Sequence, residues 1–249
     1  MATVISFANQ KGGVAKTTST FNVAASLAKR GYRVLMVDLD PQASLTIYAG
    51  LEPYEYEHTI IDVLKNPKQE IRECINPVRD KLDIITSRIE LSAAENELLS
   101  RPARELILSR ALAHVLDEYD YVLIDCPPQL STLTVNALSC TDKVIIPCKT
   151  DYLAYRGLKQ LFETIETARI YFKPDIEALG VLATMFDARA NDDKDVLQVL
   201  QEEFNVIGVV KRTTQAKKGM YDGLSSVEYA PKSELAKEYE HVVDIIISK

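Results

Sequence analysis

Ten residues, Asn9-Gln10-Lys11-Gly12-Gly13-Val14-Ala15-Lys16-Thr17-Thr18, constrain this chain more than any others. Before them, Thr3-Val4-Ile5-Ser6-Phe7-Ala8 is a short, mostly apolar and partly β-branched run that reads as a buried strand. After them, Phe21, Ala24, Ala25 and Ala28 recur at helical spacing over residues 17–30, and Gly31 ends the helix. Strand, glycine loop and helix in that order form a phosphate cradle, because successive backbone N–H groups and the positive end of the helix converge on one spot. Lys16 is the candidate cation for the β- and γ-phosphates, and Thr17 carries a hydroxyl suited to Mg2+. The strict spacing G-x-x-x-x-G-K-[ST] is not met, since its two framing glycines fall on Gln10 and Ala15. If position 15 requires a positive φ, its Cβ costs about 1 kcal/mol or more.

Two further apolar runs end in carboxylates. Residues 33–38 close on Asp38-Leu39-Asp40-Pro41-Gln42, and residues 121–125 close on Asp125-Cys126-Pro127-Pro128. The carboxyl ends of strands are where open parallel sheets bind ligands. The four cysteines (74, 126, 140 and 148) have no C-x-x-C spacing and sit in or beside apolar segments, so they read as free buried thiols. The three isolated histidines suggest no metal cluster.

Strand and helix signals alternate along the rest of the chain. Helices are predicted over 43–49, 59–65, 68–74, 90–99, 102–118, 151–172 and 192–204, and strands over 82–86, 143–147, 178–184 and 205–210. A last helix over 233–247 carries Leu235, Tyr239, Val242, Val243 and Ile246 on one face. This pattern predicts an α/β fold, a doubly wound and mostly parallel sheet with helices on both faces, in one domain over residues 1–249. No run of about 18 apolar residues is present to span a membrane. No basic segment and apolar stretch precede the first strand, so a cytoplasmic protein is expected. Net charge is −7, which argues against wholesale nucleic-acid binding. Yet residues 204–221 hold no acidic side chain and carry Lys211, Arg212, Lys217 and Lys218, a local basic patch on an acidic chain.

Lys11 through Thr18 resembles the deviant Walker A box of the ParA/MinD class of P-loop ATPases, marked by a second lysine, here Lys11. Asp38 to Gln42 is similar to that family's A′ box, and residues 123–128 to its Walker B, three boxes in order at three strand ends. The resemblance covers nearly the whole chain and is closest to small ParA/Soj-type partition ATPases. It implies ATP and Mg2+ as cofactors, held by residues 11–18, with Thr17, Asp38 and Asp125 on the metal side. It also implies that Asp40 positions the attacking water, and that Lys11 reaches across an ATP-dependent homodimer to the partner's phosphates. Lys16 completes the catalytic set, and Met185 and Thr213 fall on the adenine side. Non-specific double-stranded DNA, met by Arg189, Lys211, Arg212, Lys217 and Lys218, and a ParB-type centromere-binding protein are the implied partners, with a nucleoid-associated location. Relatives commonly carry I-P-R-N where this chain has Val210-Lys211-Arg212-Thr213. A MinD-like membrane-cycling ATPase would need a basic amphipathic last helix, whereas this one bears Glu234, Glu238, Glu240 and Asp244. A weakly hydrolysing nucleotide-dependent regulator is the other alternative, and Ala15 is its basis. Iron-protein reductases are excluded by the cysteine spacing.

Overall fold

The computed structural model describes residues 1–66, 70–213, 218–219 and 222–248. Its strands are β1 (Thr3–Phe7), β2 (Val34–Asp38), β3 (Ile75–Arg79), β4 (Leu82–Ile85), β5 (Tyr121–Asp125), β6 (Lys143–Lys149), β7 (Glu177–Phe186) and β8 (Val206–Lys211). They form one sheet in the order β3-β4-β2-β5-β1-β6-β7-β8, parallel throughout except where β3 pairs antiparallel with β4. The helices are α1 (Lys16–Lys29), α2 (Ser44–Tyr48), α3 (Ile60–Lys65), α4 (Leu91–Leu98), α5 (Ile107–Leu112), α6 (Thr132–Cys140), α7 (Tyr152–Tyr171), α8 (Asn191–Glu203), α9 (Ser226–Tyr229) and α10 (Glu234–Ser248).

Strand side chains alternate between two apolar cores, as the period of two dictates. Val4, Leu35, Val37, Val122, Ile124, Val144 and Ile146 face the layer built from α3 to α8. Ile5, Phe7, Val34, Met36, Leu123 and Ile145 face α1 and α10. Because helices cover both faces, the central strands are continuously apolar and buried. Helix α10 sinks Leu235, Tyr239, Val242, Val243 and Ile246 into the second core, so its apolar stripe is already occupied by the sheet.

Two local expectations fail. The predicted helix 102–118 is interrupted: Ala103 takes a left-handed φ of 51°, a 3-10 turn follows at Arg104–Leu106, and α5 ends at Leu112. Asn136 of α6 is the reason, since its amide donates to the Arg104 carbonyl while its oxygen accepts the Leu108 N–H. A tertiary partner thus replaces the helix's own ladder there. In the predicted helix 68–74, residues 68–69 lie outside the described residues, and Ile71–Cys74 is a 3-10 turn leading into β3. That strand contains Pro77, which an edge position tolerates because one side of the strand has no ladder.

Gly50 (φ 85°), just after α2, packs against Gly223 (φ 66°), just before α9, and a Cβ on Gly223 would lie 2.8 Å from the Gly50 Cα. Arg79 clamps the same place, donating to the Gly223 carbonyl at 2.5 Å and pairing with Glu228. Gly223→Ala should therefore destabilise the fold by about 1–3 kcal/mol through overpacking. Thermal unfolding should show a Tm several degrees lower, and an unchanged Tm would contradict this packing.

Candidate functional site

The loop between β1 and α1 is held by β6 and β7 and by a bond within itself. The buried Asn9 donates to the Pro147 carbonyl of β6 at 2.7 Å and accepts the Lys11 N–H at 2.9 Å. The Thr184 hydroxyl of β7 donates to the Val14 carbonyl at 3.0 Å. Gly13 (φ 72°) and Ala15 (φ 66°) are both left-handed, and Ala15 is the N-cap of α1. The positive φ that the loop imposes at position 15 is thus met by a residue with a Cβ. Built at Gly12 or Gly13, a Cβ would meet nothing within 4 Å, so the loop borders open space. That space is a cleft of about 560 Å3 whose lining includes Gly12, Gly13 and residues 15–18. Asp40, Gln42, Met185 and Thr213 also line it, as do Tyr48, Thr184, Leu235 and Tyr239; so do Lys211 and Arg212, expected from sequence on a DNA-binding surface.

The floor is acidic. The β2–β5 register sets Asp38 beside Asp125, both fully buried. Asp38 is heavily solvated by protein: its Oδ2 accepts the Thr46 N–H and hydroxyl, each at 2.8 Å, and its Oδ1 accepts the Asp40 N–H at 3.2 Å. Burial nonetheless pushes its carboxyl up to about 7, against these hydrogen bonds. Asp125 differs, since neither oxygen has a hydrogen-bond partner of normal geometry. Burial and the neighbouring Asp38 raise it well above the usual carboxylate range, and the Thr17 hydroxyl and Lys16 ammonium only partly oppose them. Lys16 is itself buried, which lowers its ammonium despite the pull of Asp125 and Asp40, and its Nζ donates to the Lys11 carbonyl at 3.3 Å. A buried carboxylate beside a hydroxyl at a phosphate cradle suits a hard divalent cation. Among the described residues no cluster of three or more His, Cys, Asp or Glu could hold a metal alone. Such an ion would share Thr17 and Asp125 with phosphate oxygens and water.

Two expected loop residues lie away from the cleft. Val14 is buried and acts through its carbonyl. Lys11 turns to Asp151, the N-cap of α7, at 2.7 Å, and Lys149 reaches the same carboxylate at 3.1 Å. Burial would raise Asp151, but Lys11, the Ala154 N–H and Lys149 outweigh it and hold the carboxyl at about 2. Of the candidate DNA residues, Arg189, Lys211 and Arg212 lie at one end of the sheet, where Phe186 of β7 pairs with Lys211 of β8 and Asp187 feels both arginines. Arg189, its side chain 91% exposed, pairs with Asp187 at 3.1 Å. Lys211 pairs with Glu234 at 3.0 Å, and Arg212 and Lys218 are exposed. Lys217 lies outside the described residues. The free thiols do nothing here: Cys126 is buried and raised beyond reach of ionisation by burial and Asp125.

A phosphate loop, a strand-end aspartate pair and a parallel sheet define a P-loop nucleotide-binding protein, and residues 2–178 match the AAA domain family. The sporulation initiation inhibitor protein Soj of Bacillus subtilis is 38% identical over 242 residues, covering 96% of each chain. The structure of cobyrinic acid a,c-diamide synthase from Mycobacterium smegmatis with bound ATP analogue and magnesium superposes with a TM-score of 0.87 at 34% identity, covering 99% of this chain and 95% of that one. A putative plasmid partition protein from Borrelia burgdorferi bound to AMPPNP gives a TM-score of 0.84 at 26% identity, covering 100% and 99%. The chain belongs to the ParA/Soj-type P-loop ATPases.

Two outcomes follow from this geometry. Without nucleotide, Asp38 and Asp125 bind protons more tightly in the folded chain than in the unfolded one, whose aspartates have a pKa near 3.8. Stability of the nucleotide-free protein should therefore fall as pH rises from about 4 to about 7, the opposite sign to Asp151, whose contribution is lost only below about 4. Asp125→Asn should raise the nucleotide-free Tm at pH 7.5 and flatten that pH dependence while abolishing Mg2+-dependent nucleotide binding, read by calorimetry. A lowered Tm would show that Asp125 is satisfied as it stands. Separately, Ala15→Gly removes a left-handed Cβ and should stabilise the chain by about 1 kcal/mol or less. Nucleotide affinity should change by less than about tenfold, or roughly 1.4 kcal/mol, because the cradle is already formed; a hundredfold gain would identify Ala15 as a defect.

Proposed function

We propose that this chain is an ATP-dependent DNA-segregation ATPase that hydrolyses ATP to ADP and phosphate with Mg2+. The observation that carries the reading is the buried Asp125 carboxylate, without a hydrogen-bond partner of normal geometry, at a phosphate cradle that also presents Lys16 and Thr17. Solved relatives hold an ATP analogue with magnesium, or AMPPNP, on the same fold. The loop N–H groups and Lys16 bind the phosphates, while Thr17 and Asp125, with Asp38 behind them, take the metal side. Mg2+ supplies neutralisation of charge on the β- and γ-phosphate oxygens. Asp40, at the cleft wall, orients the attacking water. Met185 and Thr213 border the base end of the same cleft.

Lys11 cannot serve its own cleft while it is bound to Asp151. In the proposed cycle it leaves that carboxylate for the phosphates of a second copy, making an ATP-dependent homodimer. Two basic surfaces then act together on non-specific double-stranded DNA, since phosphate contacts position a protein without reading bases. A ParB-type partner accelerates hydrolysis. Membrane cycling is disfavoured because the apolar face of α10 is packed on the sheet. No helix among the described residues is long and apolar enough to cross a membrane.

Phosphate release measured alone, with DNA, and with DNA plus a candidate partner tests the scheme. Lys11→Ala should bind ATP yet fail to dimerise with a slowly hydrolysed analogue in sedimentation. Arg189→Glu, which lies off the cleft lining, should weaken DNA binding about tenfold or more at low salt while leaving ATP affinity intact. Equal DNA affinity with and without ATP would defeat the coupling between nucleotide and DNA.

A further inference from the structure

Behind Asp40, three elements are tied into one knot. Strand β2 ends at the buried Asp38, α2 supplies Thr46, and the loop after β4 supplies Ser87; Thr46 and Ser87 are both fully buried. Thr46 donates twice to Asp38 Oδ2, and its hydroxyl oxygen in turn accepts the Ser87 N–H at 3.1 Å. The Ser87 hydroxyl donates to the Asp40 carbonyl at 2.8 Å. Asp38 Oδ1 accepts the Asp40 N–H at 3.2 Å. The peptide groups on both sides of the Asp40 Cα are therefore fixed, one from the end of its own strand by Asp38 and one from the loop after β4 by Ser87, while its carboxylate accepts the Gln42 N–H at 2.9 Å at the cleft wall.

The same carbonyl of Asp40 also accepts the N–H of Ala43 at 2.9 Å. Ala43 is left-handed, with φ 52°, at the N-cap of α2. An alanine persists in that conformation only where its surroundings over-determine it. Here the surroundings are the Thr46 bonds on its C-terminal side and the Ser87 bond on the carbonyl that closes its turn. Without the Ser87 hydroxyl, one of the two donors on that carbonyl is lost, and the segment from Asp40 to Ala43 is free to relax toward right-handed geometry. Asp40 would move with it.

We infer that Ser87 is a positioning residue for hydrolysis, holding Asp40 where it orients the attacking water through the Ser87–Asp40 and Ser87–Thr46–Asp38 hydrogen bonds. This rests on the reading of Asp40 given above. Ser87 does not itself line the cleft, and its contact with the lining residue Asp40 is to the backbone carbonyl, so the effect runs through the backbone of residues 38–43. Loss of alignment of about 1 Å at a reacting centre costs up to about 100-fold in rate.

The test is steady-state ATP turnover with Mg2+ by the full chain, beside binding of a slowly hydrolysed ATP analogue and amide hydrogen exchange. Ser87→Ala should lower kcat about tenfold while analogue affinity stays within about twofold of the parent. Ser87→Thr keeps a hydroxyl and should retain most of the rate, and Ser87→Cys, a weak donor of similar size, should fall between. In an Asp40→Ala background the Ser87→Ala change should cost nothing further, because the two act as one unit. Exchange at the Ala43 and Thr46 amides should be faster in Ser87→Ala. A parental rate in Ser87→Ala, or the same loss with and without Asp40, overturns the inference. If the parent protein itself releases no phosphate, the role of Asp40 falls. Exchange then decides alone, and unchanged protection at Ala43 and Thr46 overturns the claim that Ser87 holds this loop.

Discussion

A carboxylate with no hydrogen-bond partner of normal geometry at the centre of a folded sheet is a cost that a proton or a bound cation must offset. Asp125 is fully buried beside a second buried aspartate, and the chain supplies neither oxygen with a donor of normal geometry. Removing an ion from water without compensation is among the largest penalties available to a fold. In the nucleotide-free protein burial and Asp38 favour the protonated carboxyl, and a bound divalent cation would supply the compensating charge. The rest of the site follows from this choice. Lys16 is drawn into a poorly solvated position by the same acids, and Asp38 is surrounded with donors from Thr46 and Asp40 so that it can sit close by.

Backbone strain is distributed in the same way. Of the left-handed non-glycine residues among those described, Ala15 and Met185 line the cleft, and Ala43 directly precedes Ser44, which also lines it. Ordinary hydrophobic packing gives no reason for strained residues to gather at one cleft. Two of these are fixed in part from outside their own segment: the loop bearing Ala15 by Thr184 and by the bond of Asn9 to β6, and the turn bearing Ala43 by Ser87. The stiff parallel sheet is the frame that makes this affordable.

What the sequence showed depended on how local each signal was. Central strands were readable because burial on both faces demands unbroken apolar runs, as at residues 34–38 and 121–125. The phosphate loop was readable because its residues are contiguous. Strand β3 was hidden by Pro77, which is tolerated only through its edge position, a property of the assembled sheet. The break before α5 was hidden because Asn136 acts from another helix. Within the site, the partnership of Lys11 with Asp151 joins residues 140 apart, and no pattern in either segment announces it. Ser87 looked like any polar residue after a strand, and its bonds to the Asp40 carbonyl and to Thr46 of α2 emerge only when β4 is laid beside β2.

The surface around Arg189 and Lys211 has a consequence of its own. Each of these cations already has an anion in place, Asp187 for one and Glu234 for the other. A polyphosphate arriving there would replace a carboxylate instead of neutralising a bare charge. The freed carboxylates would then collect mobile cations from solution, taking back part of what the polyphosphate lets go. The salt exponent of such an equilibrium is smaller than the number of basic side chains engaged, because that exponent tracks the net release of ions. The affinity of such a surface for a polyanion would therefore be lower, and would fall more gently with rising salt, than its number of basic side chains implies.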